Sequence, residues 1–243
     1  MDKGNIPLNI FIDLSKAFDT IDHDTLLYKL HYYGFRDNSY KLLKSYLRDR
    51  KQFVHINNHK SDLLPIYTGV PQGSILGPLL FIIYINDLHL CSNILKTISY
   101  ADDTTLFLSL ATTSLSTAAP EINAELSKFS KWLDLNKLSL NISKTKFMLF
   151  HSLQKNVNIP QLDINGQAID CVHFLGITLD TNLKWHLHLI KISKKISKAI
   201  GLIGRIKNYL PIATLRILYF SLVNSHLDYG ILIWGHTASR LLV

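Results

Sequence analysis

The chain has 243 residues, 47% of them hydrophobic, and a formal net charge of +8. That is enough apolar material for one domain, or one domain with a small appendage. Cys91 and Cys171 lie far apart without metal-ligand spacing, which excludes a disulfide framework and agrees with a reducing compartment. The first residues, Met1 to Asn5, carry no secretory pattern. The longest apolar run, Ile75 to Ile85, falls short of the roughly 20 residues that a bilayer requires, so no membrane association is expected. The basic surplus is uneven. Residues 1–180 roughly cancel, and the excess falls after Asp180, where Lys184, Lys191, Lys194, Lys195, Lys198, Arg205, Lys207 and Arg216 face a single acid, Asp228. A basic segment of this kind suits a polyanionic partner; a solvated helix face is the plainer alternative.

In chain order, Leu8 to Ile12 is expected to be a buried strand ending at Asp13. Asp24 is placed as the cap of a helix that runs to Gly34, a second helix is expected over Asn38 to Arg48, and Asp22 and Asp24 are taken as helix-start acids. Gln52–Ile56 and Leu63–Tyr67 have strand character around the polar turn Asn57-Asn58-His59-Lys60. Gly69-Val70-Pro71-Gln72-Gly73-Ser74 is a punctuated loop, after which Pro78 is expected to open a helix to Leu90. Thr97 to Leu110 is a hairpin with Ala101-Asp102-Asp103 at its bend. A helix over Glu121–Leu138, a strand over Thr145–Phe150 and a hairpin at Asn165-Gly166 follow, with Ala111 to Ala119 the most linker-like stretch. From Lys184 the pattern is helical, broken near Pro211. Tyr84, Trp132, Trp185 and Trp234 fit core packing better than stacking on bases, and His186 and His188 are expected on different helix sides.

With residues 20–70 set aside as an insertion, the order is strand, helix, strand, strand, helix, strand. This is an α+β, ferredoxin-like βαββαβ arrangement. In that sheet the first and third strands are antiparallel neighbours, so the end of one lies beside the start of the other. Topology therefore brings Asp13 to Asp102 and Asp103. Three converging carboxylates repel one another unless a cation intervenes. Hard oxygen donors of this kind suit two Mg²⁺ ions and a phosphoryl-transfer reaction.

Four motifs occur in order: Phe11 to Asp19 (FIDLSKAFD), Gly69 to Pro78 (GVPQGSILGP), Tyr100-Ala101-Asp102-Asp103, and Phe174-Leu175-Gly176. Together they resemble the reverse transcriptases of jockey-like non-LTR retrotransposons, over nearly the whole chain. The resemblance implies a right-hand polymerase palm at 1–180, with part of the fingers inserted at about 20–70, and a helical basic thumb at 181–243. It implies an RNA-directed DNA polymerase whose partners are an RNA template, a DNA primer and dNTP; nothing points to a protein partner. Asp13, Asp102 and Asp103 match the family's ligands for two Mg²⁺ ions, with the Leu14 carbonyl completing the shell. Phe18 matches the steric gate under the incoming sugar, and core packing stays open as its other role. Gln72 and Gly73 match residues lining the nucleotide pocket. Lys144 matches the lysine that protonates pyrophosphate, with Lys146 as a rival. Phe174, Leu175 and Gly176 match the primer grip, for which a strand with a glycine bulge is the plainer alternative. Lys191, Lys194, Lys195 and Lys198 would track duplex phosphates. In the family, a fingers subdomain precedes the first catalytic strand, here preceded only by Met1 to Pro7. The expectation is thus a fragment that extends primers weakly, with an inert nucleic-acid-binding remnant as the alternative.

Overall fold

The computed structural model describes residues 5–111, 118–151, 162 and 167–238, which fall into two compact units. The first comprises residues 1–149 with 157–168, the second 150–156 with 169–243. The hairpin just after residue 170 thus clusters with the helices that follow it.

The first unit opens with β1 (Asn5–Ile12), whose alternate residues Ile6, Leu8, Ile10 and Ile12 are all buried, the period of two expected of a strand on a core. Two helices follow, α1 (His23–Tyr32) and α2 (Asp37–Leu47). The α1 cap is Asp22 rather than Asp24. The Asp22 carboxylate accepts the Thr25 N–H at 2.9 Å, and Asp24 sits in the first turn. The helix ends as Gly34 suggested, with φ of +97°. The Gly34 N–H bonds the His31 carbonyl and the Phe35 N–H bonds that of Leu30, a Schellman closure.

The two expected strands of the insertion become two short ladders. β2 (Lys51–Gln52) pairs with β5 (Leu64–Pro65), and β3 (His55–Ile56) with β4 (His59–Lys60). Asn57 and Asn58, both at positive φ, close the inner pair tightly. Helix α3 (Leu76–Ile85) starts two residues before Pro78, which its first turn accommodates, and stops at Ile85; Asn86–Cys91 continue as a 3-10 turn. Next come β6 (Lys96–Tyr100), β7 (Asp103–Ala111), α4 (Ala119–Leu135), β8 (Lys146–Leu149) and β9 (Gln167–Ala168). The Asn165-Gly166 hairpin lies outside the described residues, as does most of the Ala111–Ala119 stretch.

The sheet order is β6-β7-β1-β8-β9. β1 is antiparallel to both β7 and β8, the arrangement that the βαββαβ order requires. Its buried face packs with α1, α3 and α4 residues in one core that includes Leu26, Phe81, Tyr84, Ile122, Phe129 and Leu133. Within that core sits a charge. Lys29 on α1 is buried, and its Nζ donates to the Tyr84 carbonyl and to Asp87 Oδ1, each at 2.6 Å. It also lies 5.0 Å above the Tyr84 ring and 4.9 Å above that of Trp132. Burial pushes the Lys29 pKa below its usual value, and Asp87 partly opposes this.

The second unit holds β10 (Cys171–Phe174) and β11 (Ile177–Asp180), joined by Leu175-Gly176. Both turn residues have positive φ, as a type I′ hairpin needs. Helices α5 (His186–Ile206), α6 (Ile212–Tyr219), α7 (Ser225–Asp228) and α8 (Ile231–Ala238) follow. Its small core is Ile177, Trp185, Ile192 and Trp234. The Asp180 carboxylate accepts the N–H groups of Asn182, Lys184 and Trp185, which fixes the entry to α5. No helix among the described residues is long and apolar enough to cross a membrane.

Replacing Lys29 with Ala strips Asp87 and the buried Tyr84 carbonyl of their partner. A loss of about 2–4 kcal/mol in urea denaturation is expected; a loss below about 1 kcal/mol would show that the charge is not structural.

Candidate active site

Asp13 follows directly on β1 and is half-buried. The β1–β7 pairs run from Asn5↔Ala111 to Ile12↔Thr104, so one further step of the same register sets Asp13 across from Asp103. On its other side, residues 13–15 are tied to residues 139–141. The Asn141 N–H bonds the Asp13 carbonyl and the Ser15 N–H bonds the Ser139 carbonyl, each at 2.8 Å, around a Leu14↔Leu140 bridge. In such a narrow antiparallel pair the N–H and C=O of Leu14 turn the opposite way, toward the β7 side.

Asp102 lies in the two-residue connection of β6 and β7, after Ala101, which has φ of +52°. A left-handed conformation costs an alanine about 1 kcal/mol or more, and such strain clusters at functional turns. Asp13 and Asp102 line one cleft of about 470 Å³ together with Leu14, Phe18, Gln72, Asn141 and Lys144. Asp103 is not among the lining residues, but its pKa is raised, first by burial and then by Asp102 and Asp13. All three carboxylates are therefore within electrostatic reach of one another.

The cleft floor depends on a close backbone approach. The Gly69 N–H bonds the Ile21 carbonyl at 2.7 Å, and the Val70 N–H bonds that of Phe18 at 2.9 Å. A Cβ on Gly69 would meet the Asp19 carbonyl oxygen at 2.8 Å, and its φ is +84°. Only glycine fits both demands. The buried His23 places Nε2 2.7 Å from the Gly69 carbonyl, an anchor that no local sequence pattern announces. Gln72 Nε2 donates to Asp19 Oδ1 at 2.9 Å. Gly73 does not line the cleft and stands open.

Phe18 serves two neighbours. It lines the cleft, and its ring lies 4.8 Å from that of Phe81 in the core. Lys144 Nζ stands 3.9 Å from Asp13 Oδ2; both side chains are substantially exposed, so the pair adds little stability. Lys146 pairs across from Phe11 within the sheet and does not line the cleft.

Among the described residues, no group of three or more His, Cys, Asp or Glu is drawn close enough to form a ready metal cage. The donor chemistry nevertheless fits Mg²⁺. That ion takes hard oxygen donors and is commonly held by one or two carboxylates with substrate phosphates rather than by protein alone. Asp13 and Asp102, which both line the cleft, offer carboxylates of that kind.

In the second unit, Phe174, Leu175 and Gly176 form the β10–β11 turn. The Tyr229 hydroxyl donates to the Leu175 carbonyl at 2.6 Å. Lys191, Lys194, Lys195 and Lys198 are all exposed on α5. Of the aromatics, Tyr84, Trp185 and Trp234 are buried, and Trp132 packs against the core. His188 is buried and His186 exposed.

A sequence profile described as "Reverse transcriptase (RNA-dependent DNA polymerase)" matches residues 2–179. The chain belongs to the reverse transcriptase family. Among curated relatives, the "RNA-directed DNA polymerase from mobile element jockey" of Drosophila melanogaster is 28% identical across 100% of this chain and 27% of its own length. The "Probable RNA-directed DNA polymerase from transposon BS" of the same fly is 32% identical across 94% of this chain and 26% of its own. The chain thus spans about a quarter of the length of these relatives. Of solved structures, a Candida albicans telomerase in complex with a fragment of telomeric RNA superposes with a TM-score of 0.54 at 11% identity, over 95% of this chain and 45% of that one. That likeness is one of fold.

The Asp103 pKa raised above 3.8 has a definite sign. The folded state holds this proton to higher pH than the unfolded chain does, so the contribution to stability is favourable in acid and is lost as pH rises through the folded pKa. At neutral pH the ionised group is a liability. In metal-free buffer at pH 7, Asp103→Asn is expected to raise the thermal midpoint, with the gain shrinking toward pH 3. A lower midpoint at pH 7 would mean that the carboxylate is satisfied by contacts other than a cation.

Proposed function

We propose that the cleft is the nucleotidyl-transfer site of an RNA-directed DNA polymerase, acting on dNTP and a DNA primer annealed to an RNA or DNA template. One observation carries the reading: Asp13 and Asp102 line the same cleft, with Asp103 in electrostatic reach. In the same reading the β1–β7 sheet is a polymerase palm, residues 20–70 contribute part of the fingers, and the helical segment from 181 is a thumb.

In the reaction the primer 3′-hydroxyl attacks the α-phosphorus of the dNTP. The hydroxyl gives up its proton to solvent as the new O–P bond forms, the α–β bridge breaks, and pyrophosphate leaves. Two Mg²⁺ ions, held by Asp13, Asp102, Asp103 and the Leu14 carbonyl, would supply charge stabilisation at the attacking and leaving oxygens. The chain's own groups do the rest. Lys144, exposed and next to Asp13, delivers a proton or positive charge to the leaving pyrophosphate. Phe18, held from behind by Phe81, presents its ring to the sugar and excludes a 2′-hydroxyl. The Gly69–Gln72 turn, pinned to residues 18–21, sets the Gln72 amide on the cleft wall. The Phe174–Gly176 turn and the α5 lysines contact the nucleic-acid backbone.

Incorporation of dTTP on poly(rA)/oligo(dT) with Mg²⁺ tests the assignment. Asp102→Asn is expected to lower the rate by about a hundredfold or more. Incorporation that survives this change intact would remove the cleft from the reaction. Phe18→Val is expected to relax discrimination against ribonucleotides by about tenfold or more. Unchanged discrimination, with a loss of stability alone, would assign Phe18 to packing against Phe81.

A further inference from the structure

Asp19 directly follows Phe18, and the proposed chemistry gives it no part. It is an exposed carboxylate, it does not line the cleft, and none of the salt bridges among the described residues includes it. It is met instead by an amide. Gln72 Nε2 donates to Asp19 Oδ1 at 2.9 Å, across 53 residues of sequence. Gln72 does line the cleft, so Asp19 reaches that space through a wall residue.

The base from which Asp19 projects is held by main chain. Its own N–H bonds the Lys16 carbonyl at 2.8 Å, and the Phe18 and Ile21 carbonyls on either side accept the N–H groups of Val70 and Gly69. A Cβ on Gly69 would lie 2.8 Å from the Asp19 carbonyl oxygen, so the two backbones touch there. A carboxylate only accepts hydrogen bonds, whereas an amide carries NH2 on one arm and C=O on the other. Turning the Gln72 amide over would set Oε1 against a carboxylate oxygen, acceptor against acceptor. The Asp19 carboxylate therefore fixes which arm is which, and Oε1 is the arm left over. Charge works the other way. A carboxylate close to a site for a triphosphate repels it. On charge alone Asp19 weakens nucleotide binding, so a gain from positioning has the opposite sign to its field.

We propose that Asp19 is a positioning residue: its carboxylate holds the Gln72 amide in one rotation, so that Oε1 is available as an acceptor for the incoming nucleotide. The substrate in this proposal rests on the polymerase reading given above; the Asp19–Gln72 contact does not.

The test uses the whole chain and two readouts. The Gln72 side-chain amide is followed in a ¹⁵N correlation spectrum, where its loss in Gln72→Ala identifies it. Asp19→Ala is expected to move that resonance, and an unmoved resonance overturns the proposal without any assay of activity. Steady-state incorporation of dTTP on poly(rA)/oligo(dT) is the second readout. Asp19→Ala is expected to raise the KM for dTTP about five- to tenfold with kcat little changed, the effect of one hydrogen bond. Asp19→Asn, which drops the charge and keeps an Oδ1 acceptor, is expected to stay closer to the parent. Placed on Gln72→Ala, Asp19→Ala is expected to add nothing, because the group that it acts through is gone. An unchanged or lowered KM in Asp19→Ala would leave Asp19 with its charge alone and overturn the proposal. A full further loss on the Gln72→Ala background would also overturn it, since Asp19 would then act by itself. A parent chain that incorporates no dTTP, with the Gln72 resonance still dependent on Asp19, fails the polymerase reading and with it the role toward nucleotide, while the contact stands.

Discussion

The register between β1 and β7 is the constraint on which the rest of the first unit depends. Side chains alternate with a period of two, so a slip of one residue would turn Ile6, Leu8, Ile10 and Ile12 away from the core. Each such side chain contributes about 1.5–3 kcal/mol when fully buried. The same register that buries them places Asp13 across from Asp103 and beside the Asp102 turn. The burial of Asp103, with the charges of Asp102 and Asp13 beside it, raises its pKa and opposes the fold, against the gain from four buried aliphatic residues. The core thus selects an arrangement that the acids alone would avoid, and leaves them poised for a cation.

Around this pair of strands the cleft walls are held mainly by backbone. Residues 13–15 are tied to 139–141, and residues 18–21 to Gly69 and Val70, through main-chain hydrogen bonds. His23 and the missing Cβ of Gly69 bring the second pair together. Asp13, Asp102 and Lys144 line the cleft that these ties help to shape. The strain at Ala101 belongs to the same economy: a two-residue connection projects Asp102 at the cost of an unfavourable φ.

What the sequence made legible follows from how local each signal is. The strand–Asp13 junction, the Ala101–Asp103 bend, the Gly34 stop and the α4 periodicity are written in neighbouring residues. The α1 start was misplaced by two because Asp22 and Asp24 both suit a helix start, and only the Asp22–Thr25 hydrogen bond separates them. The early end of α3 was hidden because Leu88 and Leu90 resume apolar residues past Asn86 and Asp87, where the backbone tightens. Nothing in the residues around Lys29 marks it as buried, because its partners, Tyr84 and Asp87, lie on another helix and the turn after it. Helical spacing put His186 and His188 on different sides without saying which is buried; the bond of His188 to the Thr178 N–H appears only once the hairpin packs on α5. Lys144 and Lys146 could be told apart only when the Phe11 pairing placed Lys146 within the sheet.

Charge completes the account. The first 180 residues carry almost no net charge, yet they concentrate three carboxylates at one cleft; the segment after Asp180 carries the whole surplus and has one acid. For the proposed substrate these are opposite answers to one problem. A nucleic-acid strand and a triphosphate are both polyanions, and bare carboxylates repel them, so the cleft is useful only with cations added from solution. In that proposal the lysines of α5 would need no such help and would supply affinity without regard to sequence. Lys144 stands beside the acids, 3.9 Å from Asp13 and with an exposed side chain, and Lys16 lines the same cleft.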